Sequence, residues 1–98
     1  MANDKLAFLS QLEQIIGDRI DNPSEESYTA SLVAMGPKRV AQKVGEEAVE
    51  LALAAVDGED EEVLSEAADL VYHLLVLLNV QSLALSDVVA LLEARHTG

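Results

Sequence analysis

The run from Leu70 to Val80 limits this chain more than any other stretch. Leu70, Val71, Leu74, Leu75, Val76, Leu77, Leu78 and Val80 put apolar side chains on every side of a helix, and a helix apolar all round must be buried all round. Tyr72, His73 and Asn79 interrupt the run, so it reads as a core helix and not as a membrane span of about 20 predominantly apolar residues. The rest of a 98-residue chain is too small to cover all of it. A Leu/Val stripe left in water forfeits roughly 1.5–3 kcal/mol per large side chain, against a total stability of about 5–15 kcal/mol. The expected remedy is a second copy of the chain. Pairing two copies gives a homodimer whose helices complete an antiparallel, left-handed bundle across an isologous interface.

The other segments also read as helices, which makes the chain all-α with four to five helices in one domain, residues 1–98. Leu6, Leu9, Leu12 and Ile16, with Phe8 and Ile15 beside them, mark an amphipathic helix over roughly residues 4–20. Asp21 to Glu26 is polar and contains Pro23, so it is a loop. Ser27 or Thr29 caps a short helix reaching Met35, and Gly36-Pro37 ends that helix and starts the next. From Pro37 to about Val56, the residues Val40, Val44, Ala48, Leu51, Ala52 and Ala55 form the predicted apolar face, and Asp57-Gly58 closes the helix. Glu59 to Glu62 reads as a solvated turn whose acids favour the positive end of a helix over roughly 60–80. Ser86-Asp87 is expected to cap a last short helix that frays from Arg95 onward.

Composition excludes several functions. Without cysteine there is no disulfide framework and no thiolate metal site. A formal charge of −12, with six Lys and Arg, argues against nucleic acid as a partner. No secretory signal is expected in Met1 to Lys5, and the chain reads as cytoplasmic, with no membrane association. An acidic protein that handles phosphates needs divalent cations to do so.

The acids supply the material for such a site. Glu46, Glu47 and Glu50 cluster along one helix, while Glu66, Asp69 and His73 line a stripe of the next. Taken singly, each carboxylate is an ordinary solvated helix face. As a set they converge if the two helices pack antiparallel across the Asp57-Gly58 turn, and like charges so placed call for a cation. Oxygen ligands with at most one histidine suit Mg²⁺ or Mn²⁺ better than zinc or copper. His73 either orients a carboxylate, touches a substrate, or is a satisfied half-buried residue. Lys38, Arg39 and Lys43 oppose the dipole at a helix start, which leaves phosphate contact open beside an intrahelical Lys43–Glu46/Glu47 ion pair.

Ser27-Tyr28-Thr29, Gly36-Pro37-Lys38, Gln42 to Glu50 and Glu66 to Leu75 together resemble the phosphoribosyl-ATP pyrophosphatases of histidine biosynthesis. The skeleton Glu-Glu-x-x-Glu followed by Glu-x-x-Asp is shared with all-α nucleotide pyrophosphohydrolases generally. Lys43 and Gly45 before the acids, and Tyr72-His73 after them, are similar to the histidine-pathway branch. The resemblance implies Mg²⁺ among Glu46, Glu47, Glu50, Glu66 and Asp69, phosphate near Lys38, Arg39 or Lys43, and a site close to a subunit boundary. The implied reaction is hydrolysis of 1-(5-phosphoribosyl)-ATP to 1-(5-phosphoribosyl)-AMP and pyrophosphate, with Glu47 as the expected proton acceptor. The cyclohydrolase of the next step is expected on a separate chain. Two other readings stand beside this one: a housecleaning dNTP pyrophosphohydrolase, and a non-catalytic acidic helical dimer that binds Mg²⁺ or a partner protein.

Overall fold

The computed structural model describes residues 4–97 of the chain, which are helical apart from short connections and contain no strand. A 3₁₀ turn, Asp4–Ala7, runs into α1, Phe8–Asp21. Ile16 is fully buried on α1, and Leu9, Leu12 and Ile20 flank it, so the predicted stripe faces the core from Leu9 onward, while Leu6 is 65% exposed. Phe8 and Ile15 instead remain 50% and 37% exposed. Ser27 caps α2, Tyr28–Ala34, by accepting a hydrogen bond from the Ala30 amide at 3.1 Å. Gly36 then takes φ 102°, ψ 163°, a region open essentially to glycine alone, and Pro37 opens α3, Pro37–Asp57.

Gly58 and Glu59 turn the chain into α4, Asp60–Val80, and α3 and α4 pack along their lengths as an antiparallel hairpin. Asp60, Glu61 and Glu62 occupy the first turn of α4, where the helix dipole favours negative charge. At the far end, the Leu83 amide bonds to Leu78 O at 2.8 Å and the Ser82 amide to Asn79 O at 2.9 Å. This is a Schellman closure, with Ser82 in the left-handed position at φ 60°. It ends α4 at Val80, in line with the helix expected over roughly 60–80.

Helix α5, Leu85–Thr97, differs from expectation at both ends. It starts one residue before Ser86, and Asp87 acts by reaching back to the Ala84 amide at 2.9 Å, half of a capping box. Its other end holds helical geometry to Thr97, whose hydroxyl donates to Glu93 O, where fraying was expected. Glu13 on α1 fastens its start by accepting from the Leu85 amide at 2.6 Å.

Ile16, Leu32, Val40, Leu75 and Val76 form the buried core, with contributions from α1, α2, α3 and α4. The inward face of α3 corrects the sequence reading: Ala48, Ala52 and Ala55 are exposed, while Val40, Val44, Glu47, Leu51 and Ala54 turn inward. These follow the alternating three- and four-residue steps of a packed helix seam. The seam therefore admits a glutamate where an alanine was expected.

Contrary to the sequence reading, α4 is long and apolar enough to cross a bilayer by length and composition alone. What speaks for packing against protein is its polar content. Glu66 and Asp69 lie on α4 together with a buried His73, and each acid would cost about 2.5–3.5 kcal/mol at a bilayer centre. Even so, the single chain leaves α4 only partly covered, with Val71 38% and Leu64 70% exposed.

Candidate metal centre

Glu47 is the unusual residue in the α3–α4 seam. It is 6% exposed, and a carboxylate so placed is costly unless paired. One turn earlier on α3, Lys43 supplies a partner, its Nζ 3.0 Å from Glu47 Oε1. That hydrogen bond is the main reason the Glu47 carboxyl is held below its ordinary value; burial opposes the shift, and Glu50, the Lys43 charge and His73 assist it. Glu47 in turn raises the Lys43 ammonium, with smaller contributions from Tyr28 and Glu46.

The second oxygen, Glu47 Oε2, is buried and has no hydrogen-bond donor among the described residues, and Glu66 Oε2 on α4 shares that condition. Asp69 follows Glu66 by one turn. One carboxylate oxygen from each of Glu47, Glu66 and Asp69 lies within 4.8 Å of the other two. Ligands of an octahedral ion at about 2.1 Å stand roughly 3–4 Å apart, so small rotations of these side chains bring the three oxygens onto one cation. Three acids, hard oxygen donors and two buried oxygens lacking donors together fit a divalent ion.

Glu50 borders the group from the solvent side. Contact with the Glu47 side chain, and then with Glu66, pushes its carboxyl up. Glu50 and Glu66 also line an open groove of about 540 Å³ that runs between α3 and α4 toward the turn at Gly58.

Glu46 lies outside the cluster. Its side chain is 43% exposed and meets Arg39 Nη1 at 3.4 Å and Lys43 Nζ at 3.8 Å. Of the acids on α3, the structure thus groups Glu47 and Glu50 with Glu66 and Asp69, and places Glu46 among the cations. Lys38 is exposed on the first turn of α3, one residue before Arg39.

His73 is 6% exposed, and both its ring nitrogens are engaged. Nδ1 lies 2.7 Å from the Asp69 carbonyl oxygen and Nε2 lies 2.7 Å from the Tyr28 hydroxyl. Beside it, Tyr72 hydrogen-bonds Thr29 Oγ1, and both tyrosine rings stand edge-on to the imidazole. Helix α2 is thereby fastened to α4 directly behind Asp69. Sequence reasoning gave Tyr28 and Thr29 no role in the site, since they lie 45 and 43 residues from their partners. Helical spacing carries no signal over such a separation.

A family model described as phosphoribosyl-ATP pyrophosphohydrolase matches residues 9–96. The chain is 57% identical over 91 residues to the histidine biosynthesis bifunctional protein HisIE of Photobacterium profundum, covering 93% of this chain and 44% of that protein. It is 55% identical over 92 residues to the protein of the same name from Vibrio cholerae, covering 94% of this chain and 44% of the relative. The Shewanella oneidensis protein of that name is 57% identical over 89 residues, covering 91% of this chain and 42% of the relative. The chain spans less than half the length of these curated relatives.

Proposed function

This chain belongs to the phosphoribosyl-ATP pyrophosphohydrolase family, and from that premise we propose that it hydrolyses 1-(5-phosphoribosyl)-ATP to 1-(5-phosphoribosyl)-AMP and pyrophosphate, the second step of histidine biosynthesis. The observation that carries the mechanism is the pair of buried oxygens without donors on Glu47 and Glu66. Glu47, Glu66 and Asp69 would hold Mg²⁺, or Mn²⁺ in its place, with Glu50 at the edge of the site. When bound there, the ion supplies positive charge against the leaving pyrophosphate and acidifies water.

The chain's own groups divide the remaining work. Lys38, Arg39 and Lys43 stand at the start of α3; Glu46 holds Arg39 until phosphate replaces it, and Lys43 lies between Glu46 and its closer partner Glu47. Glu46 is thus a counter-ion for the cations in this reading, not a ligand. Glu50 is better suited than Glu47 to accept the proton of the attacking water. Glu47 has one oxygen committed to Lys43 and the other buried in the cluster. Glu50 is exposed at the groove, where solvent reaches its carboxylate. His73 acts through the residues it holds, since neither ring nitrogen is left for substrate. The cyclohydrolase of the following step is a proposed functional partner, and the cytoplasm the proposed location.

The working unit is proposed to be a homodimer. A compact chain of this mass exposes about 5,400 Å², whereas this one exposes 7104 Å². The radius of gyration, 14.7 Å, likewise exceeds the roughly 13 Å of a compact chain this long. Val49, Val56 and Leu64, at 59–85% exposure, leave the α3–α4 hairpin with large apolar side chains in water. The excess of roughly 1,700 Å² is of the size that one permanent partner hides.

Pyrophosphate release measured across phosphoribosyl-ATP, ATP and a set of dNTPs tests the substrate. A kcat/KM at least tenfold higher for phosphoribosyl-ATP supports the reading, and equal values for dATP would replace it with nucleotide housecleaning. No release from any of them by a folded protein would leave the non-catalytic cation-binding dimer.

A further inference from the structure

Tyr28 is half exposed, yet its hydroxyl is fixed from behind. The Asp69 carbonyl can only accept a hydrogen bond, so His73 Nδ1 carries the hydrogen of that 2.7 Å contact. In the neutral ring, Nε2 then offers a lone pair, and the Tyr28 hydroxyl donates its single hydrogen to it at 2.7 Å. The phenolic oxygen is left with acceptor capacity only. The group is bonded to the buried His73, which follows Asp69 of the cluster by one turn of α4 and bonds that residue's carbonyl. The chain has three aromatic residues; Phe8 lies on α1, and the Tyr72 hydroxyl is taken by Thr29.

We propose that Tyr28 is a specificity-determining residue whose oxygen, locked as an acceptor by the His73–Asp69 carbonyl relay, receives a hydrogen bond from a donor on the nucleotide: a sugar hydroxyl or a base N–H. Phosphate oxygens are acceptors and are refused at this position, so the residue orients the nucleoside portion while the cations at the start of α3 take the phosphates. The inference rests on the nucleotide reading above and adds to it the polarity of one contact. No proton leaves or joins the protein in this role, because the hydrogen on Tyr28 stays directed at His73 throughout.

The test compares wild type with Tyr28→Phe on phosphoribosyl-ATP and on analogues that each lack one donor: a deoxy position on either ribose, or an oxo group replacing the base nitrogen substituent at C6. Loss of one neutral hydrogen bond should lower kcat/KM on the parent roughly 3- to 10-fold, mainly through KM. On the one analogue missing the matching donor, wild type and variant should become equal, and the identity of that analogue tells sugar from base. Thr29→Val, which removes the neighbouring α2–α4 bond without touching Tyr28, should change all substrates by the same factor. If Tyr28→Phe also loses the same factor on every analogue, or loses nothing on the parent, the contact does not exist. Absence of phosphoribosyl-ATP turnover by wild type would overturn the proposed function together with this inference, whereas normal wild-type turnover with uniform losses overturns this inference alone.

Discussion

Glu47 concentrates the conflict between stability and chemistry in one side chain. It occupies a seam position that an apolar residue would fill, and it is tolerated because Lys43 neutralises one oxygen. Replacing Glu47 with Gln, or Asp69 with Asn, is expected to lower turnover by at least about 10²-fold, by analogy with removing one preorganised electrostatic group elsewhere. The fold should persist, because either change relieves repulsion among Glu47, Glu50, Glu66 and Asp69. Circular dichroism beside a pyrophosphate assay checks both parts. The Lys43 partner carries a different expectation. Lys43→Met strands a buried carboxylate and should cost about 1–3 kcal/mol near neutral pH. Because the folded Glu47 lies below 4.5, its contribution is complete above about pH 4.5 and is lost as pH falls through the folded value. The folded Lys43 lies above 10.5, so its contribution holds below pH 10.5 and is lost as pH rises through the folded value. Urea titrations should therefore find the gap between wild type and Lys43→Met widest between those limits and shrinking in acid.

At the level of helices, the chain's punctuation decides where the site falls. Gly36 joins α2 to α3 with a backbone conformation that side chains resist, and Gly36→Ala should destabilise by about 1–3 kcal/mol. Ser82 holds the left-handed position that ends α4, so Ser82→Gly should stabilise by roughly 1 kcal/mol. Thermal unfolding of the two variants should move in opposite directions. Gly36-Pro37, Asp57-Gly58 and the 3.6-residue periodicities made the helix order legible in the sequence, and the spacing of Glu47, Glu50, Glu66 and Asp69 made the facing acids legible. Three things were not. Alanine is apolar enough to suggest a face but too small to fix one, which is why Ala48, Ala52 and Ala55 pointed to the wrong side of α3. The neighbouring acids Glu46 and Glu47 look equivalent in sequence, and only the direction of the seam sends one inward and the other to Arg39. The Tyr28–His73 and Thr29–Tyr72 bonds depend on how α2 docks, which no local pattern encodes.

The whole molecule exposes more surface than a chain of its mass keeps alone, and α5 contributes no buried residue. Sedimentation equilibrium at micromolar concentration should give twice the chain mass, and Val56→Glu with Leu64→Glu should shift the protein toward single chains if the hairpin's exposed apolar residues form the interface. A fully active single-chain species would remove the dimer from the account. The cation site is the claim on which the rest depends. The most direct measurement is pyrophosphate release from phosphoribosyl-ATP by wild type and Glu47→Gln, side by side across a Mg²⁺ titration begun from chelator-treated protein. Wild type should show no release without a divalent ion and saturable activation by Mg²⁺, with a Glu47→Gln rate at least about 10²-fold lower even at saturating ion. Release by wild type in excess chelator, or a Glu47→Gln rate within a few-fold of wild type at saturation, would contradict the cation site.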